Sequence, residues 1–170
     1  REYHNRSKLF YASSSNVFAS CKESPQSEKT ETCPLTLYGA AKINAMHIIN
    51  IYKKEFNLFA CYGILYNHES ILRKKSFLPM KIVDAVVNIK YGSQKKLFLG
   101  SLNDQRDWGW AFDYVKAMWL MLQNENPENY VIGSGKLLNV KDILSYAFGH
   151  VNLNWEDYVI INSSFVRDAD

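Results

Sequence analysis

The chain has 170 residues, 47% hydrophobic and 22% charged, which suits one ordinary soluble domain and argues against disorder. Its net charge is only +3 and its Lys and Arg residues are scattered, so the basic footprint of a nucleic-acid binder is missing. No apolar run approaches the roughly 20 residues of a membrane span, and the N-terminus lacks a signal-peptide core.

From the N-terminus, Lys8-Leu9-Phe10-Tyr11-Ala12 is a short apolar run that stops at Ser13-Ser14-Ser15, the pattern of a buried strand entering a polar loop. A Ser-, Glu- and Lys-rich stretch from Cys21 to Thr32 is expected on the surface. Pro34 then opens a helix expected to run to about Phe56, and Leu58 to Tyr66 is apolar and β-rich enough for a second strand. Strand, long helix and strand form a βαβ unit with parallel strands.

Beyond Asn67 the texture becomes more helical. Three amphipathic faces are expected: Leu78, Ile82, Ala85, Val86 and Ile89; then Val115, Met118, Trp119 and Leu122; then Val140, Ile143, Leu144 and Ala147. Short strands are expected at Leu97 to Gly100, Asn129 to Gly133 and Tyr158 to Ile161, and Asn139 with Asp142 forms an N-cap pair. The fold class is therefore α/β: the C-terminal part of a doubly wound, Rossmann-type parallel sheet plus a smaller α+β domain. The expected division is residues 1–66 and 67–170. One βαβ unit cannot close such a sheet and no GxGxxG turn is present, so the fingerprint half is expected to lie upstream and the second domain to be incomplete at its C-terminus.

Cys21, Cys33 and Cys61 form no CxxC pair, and the histidines stand too far from them to suggest a metal cage, so neither a zinc site nor a disulfide framework is expected. A reducing, cytoplasmic setting follows from that reading. The residues with chemical promise are Tyr38 and Lys42, four apart on the expected helix and hence on one face. An ammonium beside a phenol favours the phenolate and suits proton exchange with a sugar hydroxyl, although the same spacing also describes a half-buried Tyr beside a snorkelling Lys. The Ser-rich loop would place a hydroxyl at a strand's carboxyl end, where ligands bind in open α/β sheets.

A strand ending in Ser-Ser-Ser, a loop, and Tyr-Gly-Ala-Ala-Lys on a helix together resemble the Ser/Thr, Tyr, Lys set of extended short-chain dehydrogenases. Leu58 to Ser70, ending in Asn-His-Glu-Ser, resembles a segment of the GDP-mannose 4,6-dehydratases, and Leu97 to Val115, with Arg106-Asp107-Trp108-Gly109 inside it, is similar to their nucleotide-binding region. The resemblance implies that Ser14 orients the substrate, that Tyr38 is the acid-base and that Lys42 tunes it, with both of the latter touching NADP. It further implies that Asn67, His68, Glu69, Ser70, Arg106 and Arg167 meet a GDP-sugar. Arg73 would serve cofactor binding across a subunit contact in a homo-oligomer, although the family's usual pair of arginines is Leu72-Arg73 here. Near the end, Asp168 stands where the family's terminal motif has proline.

One departure bears on the reaction. The family's Glu two residues after the Ser/Thr is Asn16 in this chain. By the resemblance, hydride passes from C4 of the sugar to NADP, water leaves across C5 and C6 with that Glu moving the protons, and hydride returns to C6, on the way to GDP-fucose. An amide cannot do general acid-base work. The leading expectation is a GDP-mannose 4,6-dehydratase-like lyase, with this piece alone inactive. The alternatives are a nucleotide-sugar epimerase or ketosugar reductase on the same scaffold, which needs no C5 base, or an inactive truncated scaffold.

Overall fold

The structure, a computed structural model, describes residues 7–162 and Ser164. In chain order the elements are β1 (Leu9–Ala12), a 3-10 turn (Ser15–Phe18), α1 (Leu37–Phe56), β2 (Ala60–Leu65), β3 (Asn67–Glu69) and α2 (Leu78–Lys90). There follow β4 (Leu97–Leu99), β5 (Gln105–Trp110), α3 (Ala111–Met121), β6 (Tyr130–Ile132), β7 (Leu137–Asn139), α4 (Val140–Gly149), a second 3-10 turn (Trp155–Asp157) and β8 (Val159–Ile161). They form two compact units, the first from the residues up to His68 with Gly109–Ser134, the second from Glu69–Trp108 with the residues from Gly135 onward. The first crossing lies beside the change expected at Asn67, but the return of 109–134 to the first unit was not legible in the texture of the sequence.

In the first unit β1 and β2 are parallel, with Leu9 opposite Ala60 and Ala12 opposite Gly63, and β2 is parallel to β6, with Leu65 opposite Ile132. The expected βαβ unit is thus present. Five of the six residues of β2 are buried, as in a central strand covered on both faces. Helix α1 begins three residues later than Pro34 suggests. Thr36 is its cap, with Oγ1 accepting from the Gly39 N–H at 3.1 Å, and a hydroxyl that satisfies an orphan donor outweighs a proline's preset φ. The helix stops where Asn57 turns left-handed, with Lys53 and Lys54 placed favourably in the last turn. Val17, Phe18, Met46 and Ile64 make the core of this unit.

Helix α3 corrects the expected face. Val115 and Trp119 lie largely exposed, while Tyr114 and Met121 are the buried positions. Most of Ala-Phe-Asp-Tyr-Val-Lys-Ala-Met-Trp-Leu-Met is apolar, so a 3.6-residue period does not single out one stripe.

The second unit follows the expected pattern more closely. Ile82, Ala85, Val86 and Ile89 of α2 pack with Val140, Leu144 and Phe148 of α4 and with Leu97 and Leu99 of β4. Strands β4 and β8 are parallel, and β5 runs antiparallel to β7 with Arg106 opposite Leu138. Neither β5 nor β7 was expected. The Asn139–Asp142 capping box is complete: the Asp142 N–H donates to Asn139 at 2.9 Å and the Asn139 N–H to Asp142 at 2.8 Å. Asn139→Ala removes the acceptor for the Asp142 N–H, so we expect a loss of about 1 kcal/mol in a urea titration, with Asn139→Asp close to wild type. Equal midpoints for wild type and Asn139→Ala would mean that the cap contributes nothing.

Candidate active site

β1 ends at Ala12, and the chain then turns sharply because Ser14 caps the 3-10 turn that follows. Ser13 is buried and donates to the sulfur of Met46 on α1, which holds the loop against the helix. Ser14 Oγ accepts from both the backbone N–H and the side-chain amide of Asn16, each at 3.3 Å. With two acceptor positions used in this way, the Ser14 hydroxyl proton is the group left to meet a ligand.

The head of α1 lies against this loop. A Cβ on Gly39 would stand 2.7 Å from the backbone oxygen of Asn16 and 3.0 Å from Pro34 Cβ, so only glycine permits the approach. Tyr38, the residue before it, is more than half exposed, at 54%. One turn on, Lys42 Nζ donates to the carbonyl of Ala12 at 2.8 Å and lies 5.3 Å from the Tyr38 ring centroid and 4.9 Å from that of Tyr11. The lysine is therefore tied to the carboxyl end of β1. An ammonium has three donors, so this bond leaves two for ligand hydroxyls.

Asn67 and His68 sit on β3. His68 Nδ1 lies 2.9 Å from the Tyr66 carbonyl, and its ring stacks on Tyr114 with centroids 4.5 Å apart. Tyr114 is 2% exposed, and Gly109 admits its ring, since a Cβ there would fall 2.3 Å from Tyr114 Cε2. The sequence places Tyr114 inside the Leu97 to Val115 segment but gives it no contact of its own. The available signal was a glycine five residues before an aromatic, which does not reveal a contact by itself.

In the second unit Glu69 pairs with Arg73 at 3.2 Å, and the guanidinium lies 3.6 Å above the Phe77 ring. Ser70 Oγ accepts from the Leu72 N–H at 3.2 Å, shaping the turn that carries Arg73. Arg106 on β5 donates from Nη1 to the Gln105 carbonyl at 2.9 Å, and Asp107 beside it is buried and accepts from the Gly135 N–H at 2.8 Å. Arg167 lies outside the described residues. The structure thus joins Ser14 to Asn16, Tyr38 to Lys42, and Glu69 to Arg73. Among the described residues no group of three or more His, Cys, Asp or Glu could hold a metal ion, and no helix is long and apolar enough to cross a membrane.

Solved structures share this fold. Over 90% of this chain and 52% of its own, RMD from Pseudomonas aeruginosa, solved with NADPH, superposes with a TM-score of 0.84 at 19% identity. The dTDP-glucose 4,6-dehydratase of Bacillus anthracis, solved with NAD, does so with a TM-score of 0.80 at 23% identity over 94% of this chain and 51% of its own. The parallel α/β fold is thus Rossmann-type. In sequence the chain is 46% identical to GDP-mannose 4,6 dehydratase 2 of Arabidopsis thaliana, over 96% of this chain and 43% of that protein. It is 42% identical to the GDP-mannose 4,6 dehydratase of Homo sapiens, over 89% of this chain and 41% of that one. The chain therefore spans less than half the length of these relatives. With the GDP-mannose 4,6 dehydratase family matching residues 1–169, on a fold that ties Lys42 to the carboxyl end of β1, the chain belongs to that family.

Proposed function

We propose that the full-length protein acts on GDP-mannose, converting it to GDP-4-keto-6-deoxymannose with transient transfer of hydride to NADP. The observation that carries this reading is the Lys42 bond to the Ala12 carbonyl, which sets Lys42 and Tyr38 beside the Ser14 loop in a chain of this family. A nicotinamide nucleotide supplies the hydride acceptor and donor when bound, and the exposed Tyr38 phenol and the two further Lys42 N–H groups are chemically suited to hold its ribose. Ser14 donates to the sugar oxygen at C4 and orients it. Tyr38 exchanges a proton with that oxygen, and Lys42, anchored at one N–H, favours the phenolate when the proton leaves.

The first unit would then serve the cofactor and the second the nucleotide sugar, with Asn67 and His68 at their junction in sequence. In the second unit Arg106 offers a planar fork suited to phosphate. Arg106→Ala should weaken binding of GDP-mannose by about 1.5–3 kcal/mol in calorimetry if that fork makes a charge-assisted bond. Unchanged affinity would remove Arg106 from the site.

A second reading, an epimerase or ketosugar reductase on the same scaffold, is favoured by one observation. Asn16 is a hydrogen-bond donor to Ser14 where the family reading places a carboxylate. The decisive experiment incubates the full-length protein with GDP-mannose and NADP and follows the sugar by mass spectrometry. Loss of one water with a new ketone supports dehydration. No dehydrated product, with reduction of a supplied 4-keto sugar by NADPH, would overturn the first reading in favour of the second.

A further inference from the structure

Cys21 and Cys33 stand 12 positions apart in sequence, at the two ends of the polar loop, yet the fold pairs Ser20, the neighbour of Cys21, with Cys33. Cys33 is held by backbone on both sides: its N–H donates to the Val17 carbonyl at 2.8 Å, and its carbonyl accepts from the Ser20 N–H at 3.0 Å and from Ser20 Oγ at 2.9 Å. Cys21 follows directly, its own N–H bound to the Phe18 carbonyl at 3.0 Å. The Cys21 sulfur donates to the carbonyl of Glu31, two residues before Cys33, at 2.7 Å. Both cysteines are free thiols and partly exposed, whereas Cys61 is free and buried at 0% exposure.

We propose that Cys21 and Cys33 are an oxidisable pair whose disulfide clamps the 22–32 loop to the segment that leads into α1. Hydrogen bonding already sets the two backbones side by side, and a disulfide is limited chiefly by whether its Cα atoms can approach to within about 7 Å without strain. The oxidant is a peroxide. One thiolate attacks the O–O bond, becomes a sulfenic acid and releases a first water; the second thiol then attacks that sulfur, the S–S bond forms and a second water leaves. Two thiols lose two electrons in all, and one peroxide is reduced to two waters.

The link would fix a loop that the fold already uses. Glu28 accepts from the Val131 N–H at 2.8 Å, joining the loop to β6, and Thr30 is buried with Oγ1 accepting from the Ser27 N–H at 2.8 Å. Glu28, Thr30 and Thr32 also form one wall of a cavity of about 610 Å³ that faces His47 and Asn50 of α1 and Tyr62 of β2. Three residues beyond Cys33, Thr36 caps the helix that carries Tyr38. Closing the loop covalently removes its open conformations, so the clamp should act on local opening at the head of α1. The inference does not depend on which sugar reaction the protein performs.

The test treats the full-length protein with hydrogen peroxide, blocks the remaining thiols by alkylation and maps the peptides without reduction. The expected result is one linked species, two hydrogens lighter, joining Cys21 to Cys33, lost on adding dithiothreitol, with Cys61 alkylated only after denaturation. Tryptic cleavage after Lys29, inside the loop, should be about tenfold slower in the linked protein than in the reduced one. In Cys33→Ser, and independently in Cys21→Ala, peroxide should leave that rate unchanged. The proposal is overturned if both thiols still alkylate after peroxide, if they end as sulfinic acids or bond to other cysteines, or if the linked loop is cut as fast as the reduced one.

Discussion

Tyr38→Phe in the full-length protein is expected to bind GDP-mannose almost as tightly as wild type and to turn it over about 10²–10⁴ times more slowly, the usual contribution of a positioned acid-base group. The phenol is 54% exposed at the head of α1, so deleting its oxygen leaves no buried partner unsatisfied and should not disturb the fold. Its proton moves only as the C–H bond at C4 breaks, so the loss should appear in kcat rather than in ground-state affinity. Lys42 stays tied to Ala12 in the variant, because that bond does not involve Tyr38. Single-turnover measurements alongside binding would separate the two effects. Wild-type turnover by Tyr38→Phe would remove the tyrosine from the chemistry.

Asn16→Glu is expected to do the reverse at a later step. In the unmodified full-length protein, C4 oxidation with Ser14, Tyr38 and Lys42 should be followed by a slow loss of water, since an amide cannot move the protons of the elimination. The carboxylate should raise the rate of water loss by about 10²–10⁴. The fold accommodates the change. The Asn16 side chain is exposed and makes one side-chain hydrogen bond, to Ser14 Oγ at 3.3 Å, while its backbone packs on Gly39, beside Tyr38. A carboxylate there can accept from the Ser14 hydroxyl instead of donating to its oxygen. Rapid-quench analysis with GDP-mannose should find a 4-keto, 6-hydroxy sugar accumulating in wild type and drained in Asn16→Glu. Dehydration by the unmodified protein as fast as by Asn16→Glu would show that another group supplies the base, and would remove the observation that favours a reductase.

Much of this was legible without coordinates, because its physical basis is local. The apolar run before Ser13-Ser14-Ser15, the uninterrupted helical stretch carrying Tyr38 and Lys42, and the Asn139–Asp142 cap each depend on residues close in sequence, and all three appear in the fold. The motifs that identify the family are likewise contiguous strings. Helix α1 was misplaced by three residues at its start because a proline and a threonine both signal an N-terminus, and only the hydrogen bond to Gly39 decides between them. Strands β5 and β7 went unseen because a strand of three to six mixed residues acquires its identity from its partner across the ladder.

The sequence by itself determined the family, the βαβ order and the positions of Ser14, Asn16, Tyr38 and Lys42, since motif, period and spacing are properties of a linear string. Only the tertiary structure decided which face of α3 is buried, that Tyr114 stacks on His68, that Lys42 is anchored to Ala12, and that Ser20, beside Cys21, pairs with Cys33. Each of these requires two segments to meet. In α3, where most positions are apolar, burial is chosen by what packs against the helix and not by the helix itself.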